Sequence, residues 1–292
     1  GTPGQLYRLS EDLHEDANLY AQYPERVEAM RHALEAIRNA EPVPGDGSTL
    51  LINANVPGSQ HLGWNDALWG ESSVKPVVGN HYVFDRIGIW LHGLGATVGG
   101  FNGDSLTLKT GTSIFVSGGG SLETLLVLDG GQLQNRVNGT AVIAGDLRVD
   151  SASKVLMVSG NMELQASLSG AGDLRIAAHR DGNHTFVFNG DGAGYAGTFV
   201  LVDSGADAAG LTVSFMQGCP DAGLVFDSGN MARRPVLLLQ GTLRFQTVSL
   251  PGTNGELIQL DPGSYNSSEL NSVGVSPACF ENLGGVLMVG SE

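Results

Sequence analysis

From Gly103 onward the chain alternates apolar and polar positions with a period of two, in short bursts that each follow a glycine. The bursts begin with Gly103-Asp104-Ser105-Leu106-Thr107-Leu108 and Gly131-Gln132-Leu133. Gly145-Asp146-Leu147-Arg148-Val149 and Gly160-Asn161-Met162-Glu163-Leu164 follow, and Gly172-Asp173-Leu174-Arg175-Ile176 nearly copies the first of these. Gly197-Thr198-Phe199-Val200-Leu201, Gly210-Leu211-Thr212-Val213, Gly241-Thr242-Leu243-Arg244-Phe245 and Gly255-Glu256-Leu257-Ile258-Gln259-Leu260 complete the series. Alternation with period two describes a strand with one buried face. The leading glycine permits a turn with positive φ. Recurrence at a spacing of mostly about 11–15 residues predicts a stack in which each unit covers the next. The expected fold is therefore an all-β, parallel β-helix-like repeat domain. Its irregular spacing reflects loops that grow out of individual coils. An antiparallel sandwich or jelly roll is the alternative, because it also yields strands at roughly 8–12-residue spacing.

The first forty residues follow another rule. Pro24 suits the first turn of a helix, where its missing N–H costs nothing, and Glu25 sits at the positive end of the dipole. Val27, Met30, Leu34 and Ile37 then recur at helical spacing, with Arg31 and Arg38 on the polar side. An amphipathic helix of about four turns results, and its apolar stripe needs a surface to cover. Glu41-Pro42-Val43-Pro44-Gly45-Asp46-Gly47 reads as a linker. The expected division is a helical segment at 1–43 and a glycine-rich β-domain at 44–292.

Composition sharpens this picture. Of 292 residues 43 are glycine and only 15% are charged, which suits stacked strands and tight turns better than a helical enzyme. The net charge of -15 argues against nucleic acid and against a polybasic membrane surface. No stretch approaches the roughly 20 apolar residues of a membrane span. Cys219 and Cys279 are compatible with one disulfide of an exported protein or with two separate thiols.

Four constellations bear on chemistry. Trp64, Trp69, Tyr82, Phe84 and Trp90 form the densest aromatic cluster and include all three tryptophans. Such rings stack on sugars, with Asp66, His81, Arg86 or His92 bonding hydroxyls; Trp64, Trp69, Tyr82, Arg86, Trp90 and His92 are the candidate carbohydrate-binding set. The competing role is a cap over the first coil, favoured because the repeats begin here. Arg136, Arg148, Arg175 and Arg244 recur near strands and would form a basic stripe for sulfate or carboxylate if the coils aligned them; an ordinary solvent face is the simpler reading. His179, Arg180, Asp181 and His184 offer a base and a cation, yet Gly182-Asn183 between them reads as a turn. Asn189-Gly190-Asp191-Gly192 and Asn102-Gly103-Asp104 are turn sequences first and calcium-loop fragments second. No zinc spacing and no complete catalytic motif is present, so no cofactor is expected.

Residues 6–37 resemble the C-terminal tail of the sulfatase family. The matching elements are Leu6-Tyr7-Arg8-Leu9, Asp12, Glu15, Asn18-Leu19 and Pro24-Glu25 with the helix that follows; Arg8 replaces the family's acidic residue. The family's Cys/Ser-x-Pro-x-Arg core is missing, since Cys219 is followed by Pro220-Asp221-Ala222. The resemblance thus implies a sulfatase catalytic domain upstream as a partner. Trp64-Asn65-Asp66-Ala67-Leu68-Trp69, Tyr82-Val83-Phe84, His184-Thr185-Phe186-Val187-Phe188-Asn189-Gly190 and Tyr195-Ala196-Gly197-Thr198-Phe199 resemble autotransporter-type β-strand repeats of bacterial surface proteins. That likeness implies a right-handed β-helix and an extracellular, periplasmic or cell-surface location. Three functions are open: a non-catalytic accessory domain of an exported carbohydrate sulfatase that binds a polysaccharide, a structural stalk or homo-oligomerisation module, and a β-helical lyase or hydrolase.

Overall fold

The structure is a computed structural model that describes residues 18–39, 45–58, 61–92, 100–116, 121–179, 182–202, 209–227 and 235–290. The chain divides into two compact units, Gly1–Val43 and Pro44–Glu292. In the first, a helix runs Pro24–Asn39, starting at the proline. Glu28 and Arg31 pair on its surface at 2.6 Å, Val27 is half-buried and Met30 is exposed. Leu6, Tyr7, Arg8, Leu9, Asp12 and Glu15 lie outside the described residues, as do the side chains of Leu34 and Ile37.

The second unit is a two-sheet β-solenoid. Successive strands go alternately to one sheet and then the other. The first sheet orders Thr49–Leu51, His81–Phe84, Ser105–Lys109, Ser121–Asp129, Thr140–Ser151, Asn161–Leu164, Gly182–Phe188, Ala209–Phe215, Val236–Leu239 and Phe280–Asn282. The second orders His61–Gly63, Trp90–His92, Ser113–Val116, Gln132–Asn135, Ser153–Met157, Leu174–Ala178, Thr198–Val202, Cys219–Phe226, Thr242–Pro251 and Val286–Val289. Pairing along both paths is parallel, which rules out the sandwich alternative. Antiparallel pairs occur at the far end, where Leu257–Gln259 and Gly263–Tyr265 line the last coils. A short helix, Ser267–Ser272, follows them, capped by Asn266 and Glu269.

Each glycine-led burst falls on a strand, and over most of the stack two strands make a coil; in the middle Ser167–Gly170 and Gly194–Tyr195 add a third side. Ser113 therefore lies beside Gln132, 19 residues on, while His81 lies beside Ser105 after 24. The spacing of about 11–15 residues measured half a coil. One alternating face of every strand points inward and stacks in columns. Leu91, Ile114, Leu133, Val155 and Ile176 form such a column in the second sheet, all but fully buried. Farther along, Phe188, Phe199, Phe215 and Phe245 fill the interior edge to face, with centroids 5.0 to 6.3 Å apart. Stacked identical faces remove apolar surface from water at roughly 25 cal/mol per Å², so neighbouring coils stabilise one another.

The leading glycines have a reason other than turn geometry at most positions. Gly145, Gly241 and Gly255 take positive φ, but Gly103, Gly131, Gly160, Gly172, Gly197 and Gly210 do not. Gly160, Gly172 and Gly197 sit where adjacent coils touch backbone to backbone, whereas Gly103 and Gly210 are closed in by the side chains of Tyr82 and Asn183. A Cβ on Gly197 would fall 2.2 Å from the Gly172 carbonyl oxygen, and one on Gly190 would fall 2.0 Å from that of Ala166.

Candidate functional site

The three tryptophans part company. Trp64 and Trp69 lie in the loop after His61–Gly63, and both are buried with Tyr82 in the interior. Trp69 stacks edge-on against Tyr82 and Phe101, and its Nε1–H donates to the Trp64 carbonyl at 3.0 Å. The Tyr82 hydroxyl accepts from the Val77 N–H at 2.9 Å. Rings enclosed in this way present no face to a sugar, so Trp64, Trp69 and Tyr82 leave the carbohydrate-binding set. The Nη1 of the half-exposed Arg86 donates to the carbonyls of Asn53, Ala54 and Val56 and ties down the loop over the first coil. Asp66 accepts from the Gly63 N–H, and His81 meets Ser105 on the other sheet.

Of the rings, Trp90 and His92 remain, and the register gives them neighbours that local sequence does not show. Trp90 stands between His61 and Ser113, and His92 between Gly63 and Phe115, all on the outer face of the second sheet. His61 stacks on Trp90 with centroids 5.1 Å apart, and Trp90 lies nearly parallel to Phe115 at 6.4 Å. The His61 Nδ1 and His92 Nε2 approach to 2.7 Å, one donating to the other. Burial, and then the charge of His61, hold the His92 imidazolium below its usual pKa, so at neutral pH the ring is neutral. The Arg136 guanidinium rests 4.7 Å over the Phe115 ring. Phe115 is only 3% exposed, yet it belongs to this outer shelf and not to the interior core.

The column continues beyond the shelf. Trp90, Ser113, Gln132, Lys154 and Arg175 are successive neighbours across four parallel ladders. The Gln134 amide donates to the Ser113 hydroxyl at 3.1 Å. At about 4.8 Å per strand step, Trp90 and Lys154 stand about 14 Å apart along the solenoid axis. Aromatic rings, amides, a hydroxyl and two cations thus share one track.

The other sequence candidates resolve differently. The four arginines do not line up: Arg148 is on the first sheet and forks onto Asp150 with two 2.9 Å bonds, while Arg175 meets Asp227 at 2.6 Å. Arg244 approaches the Met288 sulfur at 3.6 Å. His184 is buried with its Nδ1 donating to the Gly160 carbonyl, away from any substrate; Arg180 and Asp181 lie outside the described residues. The Asp191 carboxylate accepts from the Ala193 N–H, a turn-type contact, and that of Asp104 accepts from the Gly79 N–H of the preceding coil. Among the described residues no cluster of three His, Cys, Asp or Glu side chains is placed to hold a metal. No helix there is long and apolar enough to cross a membrane. Cys219 and Cys279 are separate buried thiols; burial, aided by the Asp191 charge, pushes the Cys219 thiol up to about 12. Comparison of the chain with family models, with curated proteins and with solved structures finds no match.

Proposed function

We propose that this chain is the non-catalytic accessory part of an exported carbohydrate sulfatase, and that its β-solenoid binds polysaccharide on the outer face of the second sheet. The observation that carries the binding reading is the shelf of His61, Trp90 and His92, packed over the buried Phe115, beside a row of Ser113, Gln132 and Gln134. Aromatic faces cover the apolar patches of a pyranose, and amides and hydroxyls exchange hydrogen bonds with its hydroxyl groups. A solenoid repeats these contacts at the spacing of its strands, which suits a polymer lying along the axis. The link to a sulfatase rests on the residue order at 6–37 and the helix that begins at Pro24.

Affinity electrophoresis through gels containing neutral, sulfated and uronate polysaccharides tests the reading. Retardation by at least one glycan, without release of new reducing or unsaturated ends, is expected. Trp90→Ala should abolish the retardation while Trp64→Phe leaves it intact. Wild-type mobility that no glycan alters would refute binding and leave a structural spacer as the role.

A further inference from the structure

Lys154 is the unusual cation of this face. It is half-buried, and among the described residues it has no carboxylate partner. Its neighbour in register is Arg175, a second cation. Burial, and then the Arg175 charge, hold the Lys154 ammonium below its usual pKa. The arrangement disfavours the charged form within a chain of net charge -15, where acidic partners are abundant. Asp227 pairs with Arg175, and Asp129 is held by Lys109 and the Ser151 hydroxyl. Lys154 and Arg175 line a groove of about 240 Å³ with Thr112, Gly131, Gln132 and Ser153.

We infer that Lys154 and Arg175 form an anion subsite at the end of the aromatic track, so that the preferred polysaccharide carries sulfate or carboxylate groups. This deepens the polysaccharide-binding reading and rests on it. The Lys154 ammonium meets one anionic oxygen as a point charge, and the Arg175 guanidinium, shared with Asp227, supplies a planar fork. Three strand steps separate Lys154 from Trp90 and four separate Arg175 from it, so a single chain reaches both.

The test uses the full chain in affinity gels and titrations with dextran, dextran sulfate and polygalacturonate, the last two separating sulfate from carboxylate. Dextran sulfate or polygalacturonate should retard the wild-type protein more strongly than dextran, with retardation fading as salt rises. Lys154→Gln should weaken the anionic glycan by about 10–100-fold, the worth of one charge-assisted contact, and leave a neutral glycan unchanged. Asp227→Asn should strengthen anionic binding by freeing Arg175. A residue kept for structure would lower Tm when replaced; Lys154→Gln should instead raise it by roughly 1–4 °C by relieving the repulsion between the two cations. Retardation by neutral glycan alone overturns this inference and leaves the binding reading standing. Retardation by anionic glycan that Lys154→Gln does not alter also overturns it. Wild-type mobility unchanged by all three removes the binding reading itself.

Discussion

Replacing Gly197 with alanine probes how the coils fit together. The residue does not take positive φ, so an alanine there is not strained as a turn residue. The obstacle is the coil beneath. The new Cβ would lie 2.2 Å from the Gly172 oxygen and 2.7 Å from the Tyr195 ring. Neither neighbour has room to yield. The Gly172 oxygen accepts the Tyr195 hydroxyl at 2.8 Å, and the Gly172 N–H donates to Val149 at 2.9 Å. Gly172 itself is pressed against Ser151, with its Cβ position 2.5 Å from that backbone nitrogen. Overpacking of this kind costs about 1–3 kcal/mol, and disrupting the buried tyrosine bond costs about 1–3 more. A loss of about 2–5 kcal/mol at about 2–4 °C per kcal/mol lowers Tm by roughly 4–20 °C. Gly58→Ala is the control: nothing lies within 4 Å of its Cβ position and its φ is not positive. That change should raise stability by about 0.4–1 kcal/mol through the unfolded chain. Thermal unfolding followed by circular dichroism measures both. If the two variants fall within about 0.5 kcal/mol of each other, the backbone-contact explanation of the glycines is refuted.

Other outcomes follow from the same geometry. Trp69→Ala removes a fully buried ring and should cost about 3–5 kcal/mol, whereas Trp90→Ala, at the surface, should cost far less; urea midpoints compare them. Neither Cys219 nor Cys279 should react with a thiol reagent in the native protein, and both should react once it is unfolded; rapid native labelling of Cys219 would contradict its burial and raised pKa. His92 has a folded pKa below its unfolded value near 6.5, so the unfolded chain takes up the proton first. Its contribution is complete above about 6.5 and is lost as pH falls from there through the folded value. His92→Gln should flatten that part of the Tm–pH profile, and an unchanged profile would oppose the assignment.

The strands were legible because inward faces must be apolar at every second residue, and all nine glycine-led bursts form strands. The Asn266 and Glu269 pair that caps the helix Ser267–Ser272 was also readable as a capping box, though the glycine-rich surroundings masked it. Coil length was hidden, since alternation does not say whether one or two strands complete a turn. The glycines misled in part, because permissive φ and close approach leave the same letter. Within the candidate site, Trp90 and His92 were visible as aromatics. His61, Phe115 and Lys154 were not, for their neighbours come from other coils through the ladder register. Trp64 and Trp69 looked equivalent to Trp90 in sequence. Only position decides, since their loop turns inward and Trp90 sits on the outward phase of its strand.

That distinction makes tryptophan fluorescence the most direct probe of polysaccharide binding on this face. Trp64 and Trp69 are 3% and 0% exposed, so collisional quenching by acrylamide reports chiefly on Trp90. Adding the polysaccharide that retards the protein should shield this accessible fraction, and Trp90→Phe should remove the effect while the two buried tryptophans still emit. Retardation by the polysaccharide with quenching unchanged would place the bound polymer elsewhere and contradict the account.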